Sequence, residues 1–112
     1  LTSDYKEISD LYNHLLENNT FEKSAKNLLI YKKALFSSNF LTEVEILETT
    51  KPLLKNDNLW KPHTLLLLGD YFISKGESIK AIEFYQKILS ISNLNKDFYQ
   101  QAQSQLDIIA NE

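Results

Sequence analysis

The chain has two histidines, His14 and His63, and what each could do depends on the carboxylates near it. Glu17 stands about one helical turn after His14, and Asp70 lies seven residues after His63, so each pair would share a helix face. A zinc ion needs three or four ligands, and neither pair is joined by a third histidine, a cysteine or a convergent carboxylate at ligand spacing. Glu43, Glu45 and Glu48 form an acidic edge at helical spacing. Acid–base work wants two carboxyls in a dry cleft with separated pKa values, whereas glutamates at the start of a helix complement its positive end and stay solvated. The two glycines, Gly69 and Gly76, are seven residues apart with helical sequence between them and no strand ahead, which is no phosphate loop. These residues argue against an enzyme and imply no cofactor. On that side one alternative is left, a metal-binding or hydrolytic protein working through His14 and His63.

Composition narrows the classes further. A chain of 112 residues with 43% hydrophobic and 12% aromatic side chains is expected to form one domain, residues 1–112, with a real core. All 12 basic residues are lysine, against 15 acidic ones. Without arginine's bidentate fork, and with net charge −3, a nucleic-acid surface is not expected. Lys32 and Lys33 read as a solvated helix face. The absence of cysteine removes disulfides and thiolate chemistry and says nothing of compartment. The chain opens on Leu1 and has no methionine, which points to a piece of a longer protein. Its longest run of purely aliphatic residues, Leu65 to Leu68, is too short to cross a bilayer, so any membrane anchor would lie outside this sequence.

The elements that must position these residues read as helices throughout, because 3.6-residue periodicity wins in every long window. A first helix over 2–17 places Ile8, Leu11, Leu15 and Leu16 on one face. Asn18-Asn19-Thr20 ends it and offers Thr20 as N-cap to a second helix, 21–37, with Ala25, Leu28, Leu29, Leu35 and Phe36 as its apolar residues. Thr42, with Glu45 three residues on, is spaced as a capping box opening a third helix with Val44, Leu47, Leu53 and Leu54 in its stripe. Pro52 implies an end or a kink there. Residues 55–58 are a loop. Pro62 suits the first turn of a fourth helix running to Ser74, and Trp60 can pack back over its start. Gly76 sits where a left-handed residue ends a helix, and a fifth follows to about residue 91. The sixth, 95–110, has Phe98, Ala102, Leu106 and Ile109 on one side, with Gln100, Gln101, Gln103, Ser104 and Asp107 on the other.

Short helix pairs call for a search for internal repeats. Setting Gly76 against Asn39 superposes Leu65 on Leu28, Leu68 on Tyr31, Phe72 on Leu35 and Ala81 on Val44, an offset of 37 residues. The expected repeats are a degenerate one at 25–58 and a clearer one at 62–95. Counted from Pro62, Leu65, Leu68, Gly69, Phe72, Ala81 and Tyr85 fall at the fourth, seventh, eighth, eleventh, twentieth and twenty-fourth positions, which resembles a tetratricopeptide repeat. Gly69 and Ala81 would be small where two antiparallel helices approach closely, with Phe72 and Tyr85 filling the wedge on either side, and Gly76 would let the chain reverse. Leu65 stands where the repeat usually has Trp, Ile88 where it has a small residue and Asn93 where it has proline. In this register Lys32 takes the close-packing position of the earlier copy.

The succession "KNLLIYKKALF", "KPLLKND", "HTLLLLGDYFISKGESIKAIEFYQKIL" and "YQQAQSQLDII", spanning residues 26–109, more specifically resembles the carboxyl-terminal part of the YfgM-like family. These are bacterial tetratricopeptide-like proteins, anchored in the inner membrane, that accompany the SecYEG translocon. The resemblance implies an all-α, right-handed stack of antiparallel helix pairs closed by a capping helix. It also implies a periplasm-facing domain behind a transmembrane anchor, with translocon subunits, periplasmic chaperones or emerging polypeptides as partners. A scaffold of the same repeat in another compartment is the alternative.

Leu65 to Leu68 with Tyr71, Phe72 and Ile73 point all round a helix, more than one core stripe hides, so some of that surface is expected to face a partner. In stacked helix pairs the first helix of each pair lines the concave wall. The register then offers His63, Leu66, Asp70 and Ile73 from one copy and Lys26, Leu29, Lys33 and Phe36 from the other. The expected occupant is a peptide segment or a second copy of the domain.

Overall fold

The computed structural model describes residues 2–18, 23–55 and 57–112, all helix, turn or irregular among those residues. The helices are α1 (Thr2–Asn18), α2 (Lys23–Ser37), α3 (Glu43–Lys55), α4 (Lys61–Ser74), α5 (Ser78–Leu89) and α6 (Lys96–Ala110). Thr20 and Phe21, expected to start the second helix, lie outside the described residues. No helix of the described residues is long and apolar enough to cross a membrane. The chain divides into two compact units, Leu1–Lys61 and Pro62–Glu112.

In the first unit α2 packs between α1 and α3. Tyr5 of α1 stacks on Phe36, ring centroids 6.0 Å apart, and on Phe40 at 4.5 Å. The inner side of α1 therefore runs through Tyr5, Ser9 and Tyr12 to Leu15 and Leu16, all half-buried, while Leu11 is 56% exposed. The expected stripe through Ile8 and Leu11 is rotated, since Tyr5 offers the larger apolar area to bury. The capping box opens α3 as spaced: Thr42 N donates to Glu45 Oε1 at 2.9 Å and Glu45 N to Thr42 Oγ1 at 3.3 Å. Buried within α3 are Ile46, Thr50 and Leu53, whereas Val44 is 70% exposed. Pro52 does not end α3, which continues to Lys55. Asn58 ties off that end by donating from Nδ2 to the Leu53 carbonyl at 2.9 Å and accepting from Trp60 N at 2.9 Å. The Trp60 indole stacks on Tyr31 of α2, centroids 5.6 Å apart.

In the second unit, α4 and α5 form a helical hairpin whose turn is set by Gly76 at φ +74°. Gly76 N donates to the Ile73 carbonyl at 3.0 Å and Glu77 N to the Phe72 carbonyl at 2.9 Å, the paired bonds of a Schellman ending. Contacts nest around this turn in antiparallel fashion: Phe84 stacks on Phe72 at 5.5 Å, and farther out Tyr85 meets Gly69. A Cβ on Gly69 would lie 2.6 Å from Tyr85 Cζ and 2.8 Å from Cδ1, so the ring occupies the space a side chain would need. Helix α5 ends at Leu89, short of the expected residue 91, and Asn93 takes φ +55° before Asn95 caps α6 by accepting from Asp97 N at 2.8 Å. Helix α6 packs on α5 and buries Ala102 completely, with Phe98, Leu106 and Ile109 half-buried along the expected stripe.

The two units bury residues in a common pattern, at a spacing of 35 residues. Ile46, Thr50 and Leu53 correspond to Ala81, Tyr85 and Ile88, all six fully buried, and Ala34 and Ser37 correspond to Gly69 and Phe72. The offset of 37 instead pairs buried Phe72 and Ala81 with Leu35 and Val44, which are 50% and 70% exposed. By burial, Ala34 rather than Lys32 is the first unit's counterpart of Gly69, since Lys32 is exposed. That offset sets Asn39 opposite Gly76, yet among the described residues the positions with positive φ are Gly76 and Asn93.

Candidate functional site

Helix α4 is buried on nearly all sides: Thr64, Leu65, Leu67, Leu68, Gly69, Tyr71 and Phe72 are inside. The expected surplus of apolar surface is therefore largely core. Leu66 and Asp70, one turn apart, remain accessible and form one wall of a groove with a cavity of about 390 Å³. The opposite wall belongs to α6 and consists of Asp97, Gln100, Gln101, Ser104 and Gln105. The polar side of α6, which the sequence suggests is a solvated cap, is thus partly the lining of a concave site.

Asp70 is held in that wall by Tyr85, whose hydroxyl donates to Oδ1 at 2.6 Å. Burial first, then the hydrogen bond to Asp70 and the charge of its carboxylate, push the Tyr85 phenol well above its ordinary pKa, so it stays a donor. The ring is fixed in turn by its fit over Gly69. A glycine, a tyrosine and an aspartate therefore act as one device: the first admits the ring, the second carries the hydroxyl across the hairpin, and the third receives it at the groove. A neighbouring contact steadies the same unit, His63 lying edge-on to Phe98 with centroids 4.6 Å apart.

Of the eight residues expected to line a groove, Leu66 and Asp70 do so in the second unit. His63 and Ile73 are half-buried there, the former committed to Phe98. In the first unit Lys26 is exposed, Leu29 and Lys33 are half-buried, and Phe36 is engaged by Tyr5. The structural residues Gly69, Phe72, Ala81 and Tyr85 are buried, and Gly76 makes the turn. His14 and Glu17 are exposed on α1, and no three of His, Asp and Glu among the described residues gather to hold a metal ion. The α6 wall of Asp97, Gln100, Gln101, Ser104 and Gln105 is not among the groove residues expected from the sequence. In sequence these residues belong to the amide-rich side of α6, with glutamines at 100, 101, 103 and 105, which reads equally as a solvated face.

No protein-family profile, curated protein or solved structure matches the chain.

Proposed function

We propose that the chain is a non-enzymatic protein-interaction domain with tetratricopeptide-like stacking of its helix pairs. The observation that carries this reading is the concave, amide-rich groove between α4 and α6, built on a hairpin whose Gly69–Tyr85 contact fixes the position of Asp70. The 35-residue recurrence of buried positions and the small residues at Ala34 and Gly69 support the stacked-repeat reading. Carboxamides suit polypeptide ligands, because each offers both a donor and an acceptor to an extended backbone. By the resemblance of residues 26–109, we place the domain in the periplasm behind an inner-membrane anchor. There its partners would be translocon subunits, periplasmic chaperones or emerging chains.

Site-specific photo-crosslinking in cells tests this. A crosslinker at Ser104 should yield adducts with a defined polypeptide, and one at Glu83, exposed on α5, should not. Leu66→Lys should abolish the Ser104 adducts while leaving helical content unchanged. Equal labelling from both positions, or none from Ser104, would contradict the reading, and partners from a different compartment would contradict the periplasmic placement.

A further inference from the structure

The groove between α4 and α6 carries information about what it selects, and this inference rests on the interaction-domain reading. Two carboxylates, Asp70 and Asp97, line it, and among the described residues no lysine does. Asp70 does not swing freely, because Tyr85 Oη holds it at 2.6 Å from a ring locked over Gly69. A pre-positioned anion gives up less freedom on pairing than an ordinary surface aspartate. Leu66 supplies an apolar wall beside it, suited to the four-carbon stem of a lysine whose ammonium reaches the carboxylate. Gln100, Gln101 and Gln105 present donors and acceptors together, a pattern with no use for a bare cation but matched to peptide groups.

We propose that the α4–α6 groove binds an extended, lysine-bearing polypeptide segment, its ammonium groups pairing with Asp70 and Asp97 and its backbone hydrogen-bonding to the glutamines of α6. Negative groove and positive segment are complementary in charge, so the attraction also speeds encounter and weakens with salt.

The probe is a short fluorescein-labelled peptide of Gly, Ser and Lys, with counterparts carrying Gln or Glu in place of every Lys, titrated with the whole chain and read by anisotropy. The Lys peptide should bind best and the Glu peptide least. Asp70→Asn and Asp97→Asn should each weaken the Lys peptide by about fivefold, the scale of a partly exposed ion pair. Asp70→Asn retains an oxygen to accept from Tyr85, so the hairpin should stay folded, as circular dichroism would show. Glu83→Gln makes the same change of charge outside the groove and should leave binding unaltered. Gln101→Ala should weaken the peptide, and spermidine should compete poorly. Equal binding of the Lys and Gln peptides would overturn the proposed selectivity. An equal effect of Glu83→Gln would reduce it to net charge, and full competition by spermidine with no effect of Gln101→Ala would remove the polypeptide backbone from it. Doubling of mass in sedimentation, reversed by the Lys peptide, would make a second copy the occupant and overturn the inference as stated. If no peptide binds while Ser104 still crosslinks in cells, this inference falls and the interaction reading stands; loss of both removes both.

Discussion

The two helical units solve one packing problem with different residues. In the second, Gly69 admits the ring of Tyr85, whose hydroxyl crosses the hairpin to Asp70. At the corresponding places in the first stand Ala34 and Thr50, both fully buried, and Leu35, which is 50% exposed. Thr50 turns its hydroxyl onto its own helix, donating to the Ile46 carbonyl at 2.9 Å. The short side chain of Thr50 finds its acceptor locally while the long one of Tyr85 reaches another helix. The turns differ in the same spirit. The first unit links its helices through residues 38–42 and opens α3 with the Thr42–Glu45 capping box. The second needs only 75–77 and a left-handed glycine, and Glu77, the N-cap of α5, makes no side-chain cap. The burial pattern is shared while the polar connections differ: in the second unit a tyrosine of the hairpin reaches a carboxylate in a groove, and in the first the corresponding threonine bonds to its own helix.

Substitutions can break that contrast in order of expected size. Gly69→Leu forces a branched side chain into the buried Tyr85 ring and should cost about 3 kcal/mol, seen as a lower denaturation midpoint; an unchanged midpoint would mean the close contact does not exist. A Cβ at Gly76 would meet no atom within 4 Å, so the cost of Gly76→Val is expected to come from holding a branched residue at φ +74°. About 1–2 kcal/mol is expected from that strain, and Gly76→Asn should recover part of it. The smallest effect belongs to the first unit's cap. The amide hydrogen bond from Thr42, then its hydroxyl contact, hold the Glu45 carboxyl below its ordinary value of 4.5. A lowered folded-state pKa stabilises above the unfolded value and is lost as pH falls through the folded one. The gap in thermal stability between the wild type and Glu45→Gln should therefore narrow as pH drops below about 4.5, and a gap independent of pH would contradict the cap's ionic character.

Much of the fold is legible where a backbone requirement is met by a single residue type. Thr42 with Glu45, Gly76 and the stripe of Phe98, Ala102, Leu106 and Ile109 mark their elements because each satisfies a local need. The register between the two units is not, because an asparagine in a turn can be right- or left-handed; Asn39 and Asn93 look alike in sequence, and of these two the second has positive φ. Apolar side chains mislead in the same way. Val44 and Leu35 are exposed and Thr50 and Ser37 buried, since exposure of single hydrophobic residues costs little and small hydroxyls fit close helix contacts. For the candidate site, Leu66 and Asp70 follow from helical spacing, but the α6 wall does not. A polar helix face reads the same whether it meets bulk water or a groove, and tertiary placement decides between them.

The central physical claim is that Gly69 is glycine because of Tyr85, and a double-mutant cycle in chemical denaturation tests it most directly. Gly69→Ala should destabilise the wild type, yet in a Tyr85→Thr background, which copies the first unit, it should be neutral or stabilising, as alanine is the better helix former by about 1 kcal/mol. An equal loss of stability in both backgrounds would contradict the account.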